Sequence, residues 1–177
     1  MSSANSPRRI LIYGCTGSGK TTLARRLSEV TGVAWTEADS LTWDPGWVEV
    51  PLDEQTRRIQ AVCDREEWIL DTAYGKWLDV PLPRATLIVA LDYPRFVSLG
   101  RLLRRTVRRV RSKEAVCNGN RETWSKVLSH DSIIAWHFKS FAAKRRRIEK
   151  FIADGRPVVR IRSPHDLESF LGGLRNF

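Results

Sequence analysis

Eight consecutive residues of this chain have the types and the order needed to hold a polyphosphate. Gly14-Cys15-Thr16-Gly17-Ser18-Gly19-Lys20-Thr21 fits G-x-x-x-x-G-K-[ST] without a mismatch. The three glycines let the backbone take positive φ and approach a ligand closely. Successive N–H groups then point inward as an anion nest at the start of a helix, whose dipole also favours negative charge. Lys20 supplies a mobile point charge for β- and γ-phosphates, and Thr21 a hydroxyl for Mg²⁺. On this reading Gly14 through Thr21, with Thr22 after them, bind the phosphates of ATP. Cys15 lies near a helix N-terminus, where a thiol pKa can fall, but it reads better as a small filler than as a nucleophile.

Such a loop works only between a strand and a helix, and the flanks supply both. Arg9 to Tyr13 is a short buried strand. Thr22 to Thr31 is a helix with Leu23, Ala24, Leu27 and Val30 on one stripe. Further strands are expected at 33–37, 68–71, 85–91 and 157–161, with helices at 52–67, 94–111, 131–154 and from 163 onward. The 94–111 helix has an apolar stripe of Val97, Leu99, Leu102, Leu103, Val107 and Val110. A short helix is expected at 121–128, and Asp131 is the expected cap of the long one after it, whose Ile133, Ile134, Trp136, Phe138, Phe141, Ile148, Phe151 and Ile152 are expected to face largely inward. Alternating strands and helices predict an α/β fold, a doubly wound, mostly parallel sheet with helices on both faces. Ligands in such sheets bind beyond the carboxyl ends of the strands. Gly14, Asp39, Asp71 and Asp92 all follow strand ends and so belong to that side.

The composition narrows the classes. With 42% hydrophobic and 28% charged residues, 177 residues make one ordinary globular domain over 9–177 rather than a disordered chain. Residues 1–8 read as a disordered N-terminus, without the apolar core of a signal peptide. The purest apolar run, Leu87–Leu91, is too short to span a membrane, so no membrane partner is expected. Cys15, Cys63 and Cys117 show neither metal nor disulfide spacing, which points to a reducing cytoplasm. His130, His137 and His165 read as solvated or core histidines. Charge is uneven: residues 1–90 hold 10 Lys/Arg against 12 Asp/Glu, whereas residues 91–177 hold 20 against 8. An anionic partner for the second half follows, either a nucleotide or nucleic acid along the basic residues 101–150.

Mg²⁺ on a nucleotide needs a carboxylate near the end of a neighbouring strand, and Asp71 and Asp92 compete for that role. Neither is followed by a glutamate that could activate water, which argues against a motor-type ATPase. The absence of Asn-Lys-x-Asp argues against a GTPase.

The chain resembles the P-loop nucleotide kinases, a class that includes adenylate and shikimate kinases. That resemblance implies a five-stranded sheet of order 2-3-1-4-5, assigns Mg²⁺ to Thr21 and Asp71, and turns Asp39 toward the acceptor. More narrowly, the chain is similar to the adenylate-kinase-related bacterial DNA topology modulation proteins over nearly its whole length. The likeness is carried by Gly14–Thr21, Asp39-x-x-x-Trp43-x-Pro45-Gly46-Trp47, Trp68-Ile69-Leu70-Asp71-x-x-Tyr74 and Leu91-Asp92-Tyr93-Pro94-Arg95. Thr72-Ala73 stands where adenylate kinases carry Gly-Phe-Pro-Arg, so their acceptor site does not carry over. The resemblance further implies an acceptor-side insertion at about 39–66 and a lid at about 112–130 whose arginines close over the phosphates. Arg101, Arg105 and Arg121 are the candidates. Lys144-Arg145-Arg146-Arg147 with Lys150 reads as a solvated helix face, and Trp43 and Trp47 as packing or stacking groups. The expected activity is transfer of the ATP γ-phosphoryl group to a small acceptor. The rival readings are a nucleic-acid-associated NTPase that modulates DNA topology and a non-catalytic ATP sensor.

Overall fold

The structure, a computed structural model, describes residues 8–112, 115–121, 123 and 132–175. The chain begins with strand β1 (Arg9–Gly14), helix α1 (Lys20–Thr31), β2 (Trp35–Glu37) and α2 (Ala38–Thr42). A small hairpin of β3 (Trp43–Asp44) and β4 (Val48–Glu49) precedes α3 (Leu52–Cys63), β5 (Trp68–Thr72) and β6 (Leu87–Leu91). Helix α4 (Arg95–Ser112) leads to a second hairpin, β7 (Ala115–Val116) and β8 (Asn120–Arg121). The long helix α5 (Ile133–Ala153), β9 (Val158–Ile161) and α6 (Pro164–Arg175) complete it.

β1 is the middle of the sheet because almost every residue in it can be buried. Its side chains alternate between two cores. Leu11 and Tyr13 join Ile59 of α3 and Ile148 and Phe151 of α5 on one face. Ile10 and Ile12 join Leu23 and Leu27 of α1 and Leu171 of α6 on the other. The five strands run parallel in the order β2-β5-β1-β6-β9. Counting only these core strands along the chain, the order is 2-3-1-4-5, as expected.

The register fixes the functional edge. Ile12 pairs with Asp71, Gly14 with Leu91, and Glu37 with Asp71. Three strand ends therefore meet at the phosphate loop. Helix α4 closes against that loop through Gly17, whose φ is +81°. A Cβ there would stand 2.4 Å from the Ser98 carbonyl oxygen and 2.9 Å from Leu102 Cβ, so the close seating of α4 requires glycine.

Several local expectations change. Arg8 is ordered: its carbonyl accepts from Trp68 N at 2.8 Å and its guanidinium pairs with Glu67. Arg121, the start of the expected 121–128 helix, is in strand β8 instead; the rest of the expected disordered N-terminus, residues 122 and 124–128, and Asp131 lie outside the described residues. Ser132 caps α5, its hydroxyl accepting from Ala135 N at 3.2 Å. On α4 the buried positions are Ser98, Leu102 and Thr106, while Leu103 of the expected apolar stripe is exposed. On α5, Trp136, Phe138 and Ile152 are exposed rather than inward. Their places are taken by His137 and Lys144, which share a buried stripe with Phe141, Ile148 and Phe151. Lys144 is therefore not part of a solvated face. Asp92 is structural: it is buried and accepts from Arg160 at 2.8 and 2.5 Å, with Arg145 at 3.1 Å, tying β6 to β9 and α5.

Candidate active site

The loop between β1 and α1 is already wound for an anion. Gly17 and Gly19 have φ of 81° and 95°, and Ser18 N donates to Cys15 O at 3.1 Å. Lys20 curls over the loop, its Nζ donating to the Cys15 carbonyl at 3.2 Å. Thr21 opens the first turn of α1, and its hydroxyl donates to Asp71 Oδ2 at 2.6 Å, with Glu37 Oε1 at 3.5 Å.

Electrostatics at this point favour a cation. Burial pushes the Asp71 carboxyl up, with Lys20, the Thr21 hydroxyl and Arg105 opposing and Asp39 adding to the rise. Glu37 is pushed up by burial and by Asp39 and Asp71, against Arg109 and Lys20. Two carboxylates and a hydroxyl are a hard, all-oxygen donor set with crowded negative charge. The residues present fit Mg²⁺.

The segment that follows β2 carries the next group of candidate residues. Asp39 lies in the first turn of α2; burial, and then the Asp39 carboxylate, push the Tyr74 hydroxyl pKa up. The Tyr74 hydroxyl accepts from Trp43 Nε1 at 2.9 Å, and Trp43 meets Trp47 edge-on with ring centroids 6.0 Å apart. Arg57 and Arg58 instead pair with Glu54 on α3. Over this platform sits the β7–β8 hairpin. Asn118 Nδ2 donates to the carbonyls of Ser40 and Trp43 at 2.9 and 2.7 Å. Asn120 Oδ1 accepts from Trp47 N at 2.7 Å, and its Nδ2 donates to Asp44 O at 3.1 Å. Docking brings Cys117 to Glu37 and Asp39, the three ligand atoms lying within 4.8 Å of one another. Burial, then Asp39 and Glu37, push the Cys117 thiol up to about 12, so it is no nucleophile here.

Solved structures that superpose on the chain share this plan. A gluconokinase from Sinorhizobium meliloti 1021 matches with a TM-score of 0.56 at 16% identity, over 96% of this chain and 93% of its own. Shikimate kinase from Acinetobacter baumannii, solved with shikimate, gives 0.57 at 14%, over 96% and 91%. Deoxyadenosine kinase from M. mycoides gives 0.57 at 14%, over 95% and 99%. The fold is that of the P-loop kinases. No protein-family model matches the chain, and no curated protein matches it. The likeness at this identity is one of fold.

Within this P-loop kinase fold the predicted arginines separate. Arg101 lies against the loop, its Nη1 donating to Ser18 O at 3.2 Å and its guanidinium stacking on Tyr93 at 4.5 Å. Arg105 is half-buried on α4, and its charge opposes the burial-driven rise of the Asp71 pKa. Arg104, Arg108 and Arg111 are exposed. Arg121 belongs to β8, but its side chain and most of the expected 112–130 lid lie outside the described residues.

The structure adds Glu37, Tyr74, His137 and Lys144 to the site. Glu37 was legible as the last residue of an expected strand. His137 and Lys144 could have been found as polar residues on the stripe 137, 141, 144, 148, 151, which spacing alone places inward. His137 Nδ1 lies 3.1 Å from the Thr16 carbonyl. A carbonyl only accepts, so Nδ1 carries the proton. Among the described residues no helix is long and apolar enough to cross a membrane.

Proposed function

We propose that the protein is a Mg²⁺-dependent kinase that transfers the γ-phosphoryl group of ATP to a small hydroxylated acceptor. The observation that carries this reading is the assembly of Thr21, Asp71 and Glu37 beside Lys20, with Asp39 facing the same space under a docked hairpin. The loop amides and Lys20 hold the β- and γ-phosphates. Thr21, Asp71 and Glu37 would hold Mg²⁺, which supplies neutralising charge for the phosphate oxygens when bound.

The bond between the γ-phosphorus and the β–γ bridging oxygen breaks, and a new bond forms to the acceptor oxygen. Asp39 takes the hydroxyl proton, and ADP keeps the electron pair of the broken bond. Arg101 and Arg105 stabilise charge on the transferring group, and the hairpin excludes water. Positioning does most of this work, and no covalent intermediate is needed. Inward-turned Arg101, Arg105 and Lys144 favour a nucleotide as the anion served by the basic second half.

The test is ADP release from Mg-ATP across nucleosides, nucleoside monophosphates, sugars, other small hydroxy acids and duplex DNA, with Lys20→Ala as control. Stimulation by one small acceptor, absent in the control, is expected. Stimulation by DNA alone would select the nucleic-acid-associated NTPase. ATP binding without turnover on any partner would select the sensor.

A further inference from the structure

Helix α5 presents a second ammonium to the phosphate loop that the kinase reading leaves unused. Lys144 is 5% exposed, and its Nζ has no hydrogen-bond partner among the described residues. Its Nζ lies 5.9 Å from the Trp136 ring centroid; burial and the charge of Lys20 disfavour its ammonium, while Cys15 and Asp39 favour it. A buried ammonium with no hydrogen-bond partner is costly.

Its placement is fixed from the same helix. His137, fully buried, is held to the Thr16 carbonyl, so the face of α5 carrying Lys144 is pinned to the first half of the loop. Among the described residues the His137 Nε2 and Ser18 Oγ are likewise buried without partners. Unsatisfied polar atoms thus lie on the loop and on the helix that packs against it. The loop lysine, Lys20, serves the β- and γ-phosphates. Lys144, two turns along the helix face that His137 pins to this loop, brings a second buried ammonium to the same region and interacts electrostatically with Lys20 and Cys15.

We propose that Lys144 is a ligand of the terminal phosphate of a bound nucleoside triphosphate and makes the site distinguish triphosphate from diphosphate. This rests on the nucleotide-binding reading above. An anionic group on the acceptor could present the same chemistry, and the nucleotide pair separates the two sources.

The experiment is calorimetric titration of ADP and of the β,γ-imido analogue of ATP, with Mg²⁺ and no acceptor, into the wild type, Lys144→Met and Lys144→Arg. Loss of one charge-assisted hydrogen bond predicts roughly tenfold or greater weakening of the triphosphate in Lys144→Met. ADP affinity should change by less than about threefold, and Lys144→Arg should keep most of the preference. Equal loss of both ligands, or loss of neither, overturns the proposal. So does a loss repeated in full by Lys144→Arg, which would assign Lys144 to packing. A wild type that binds neither nucleotide overturns the nucleotide reading itself and this proposal with it.

Discussion

The side-chain hydroxyl of Thr21 donates a 2.6 Å hydrogen bond to Asp71, although 50 positions separate the two residues in the chain. The parallel pairing of β1 with β5 makes that contact. The two strand-end carboxylates are placed differently: Asp71 reaches Thr21 of the phosphate loop, whereas Asp92 is turned toward Arg160 and Arg145. Asp71→Asn keeps the shape and loses the charge. ATP affinity in the presence of Mg²⁺ should fall about 10–100-fold, the range for losing a group that tunes a metal site, while Mg²⁺-free affinity stays near wild type. Nucleotide titrations with and without Mg²⁺ check this.

The same carboxylate sets a pH dependence. Its folded pKa lies above the ordinary 3.8 because of burial. In the window above 3.8 the folded protein therefore holds a proton that the unfolded chain has lost, and stability falls as pH rises through it. A divalent cation removes that penalty by taking the proton's place. The increase in Tm caused by Mg²⁺ should grow as pH rises through this window and be absent in Asp71→Asn. Thermal melts across pH, with and without Mg²⁺, read the difference.

Asp92 should behave in the opposite way. Its side chain is 1% exposed and that of Arg160 is 18% exposed. Asp92→Ala removes the 2.5 Å partner of the Arg160 guanidinium and leaves Glu149 at 3.8 Å, and breaking a buried pair from one side costs about 3–5 kcal/mol. Urea unfolding should show that loss, while nucleotide affinity of the folded protein stays within about twofold, since the residue touches none of the loop. A matching loss of affinity would place Asp92 in the site.

How the two carboxylates differ was only partly legible in the chain. The phosphate loop, the five core strands and their helices follow from motif and periodicity, because each depends on local order. Choosing Asp71 needed the strand order, which a single sequence supplies only by resemblance. The inward face of α5 does not follow from apolar letters, because His137 and Lys144 are buried on it while Trp136 and Phe138 are exposed. Polar residues enter a core only where tertiary neighbours give them a role, and those neighbours are far away in sequence. The docking of Asn118 and Asn120 on the Trp43–Trp47 segment is equally non-local: their short side chains signal a turn, and nothing in the turn names its partner.

That docking gives a prediction read at one amide. Trp47 N donates to Asn120 Oδ1, 73 residues away, and Trp47 itself has φ of 60°. Asn120→Ala removes this bond and the one from Nδ2 to Asp44 O, each worth about 1 kcal/mol. Hydrogen exchange at the Trp47 amide should accelerate by about tenfold or more, whereas amides of β1 and β5 keep their protection. Unchanged exchange at Trp47 would mean that the hairpin does not hold this segment in solution.

The cost of keeping Lys144 in place is itself measurable. Burial lowers its pKa to about 8 from 10.5. Lys20 and Arg147 push in the same direction, Cys15 and Asp39 oppose them, and His137 of the same helix faces it with Arg95 of α4 beyond. Between about 8 and 10.5 the unfolded chain holds a proton that the folded protein lacks, so stability rises with pH through this window. Below it both states are charged and the full penalty stands, about 3 kcal/mol at ~1.4 kcal/mol per pK unit. Lys144→Met removes the charge while filling similar space. It should raise Tm at pH 7 by about 5–10 °C for a domain of this size, and the advantage should shrink toward zero by pH 10.5. A Tm advantage that is constant from pH 7 upward would trace to packing alone. An advantage that fades with pH, joined to a lost preference for triphosphate, would show one residue trading stability for recognition.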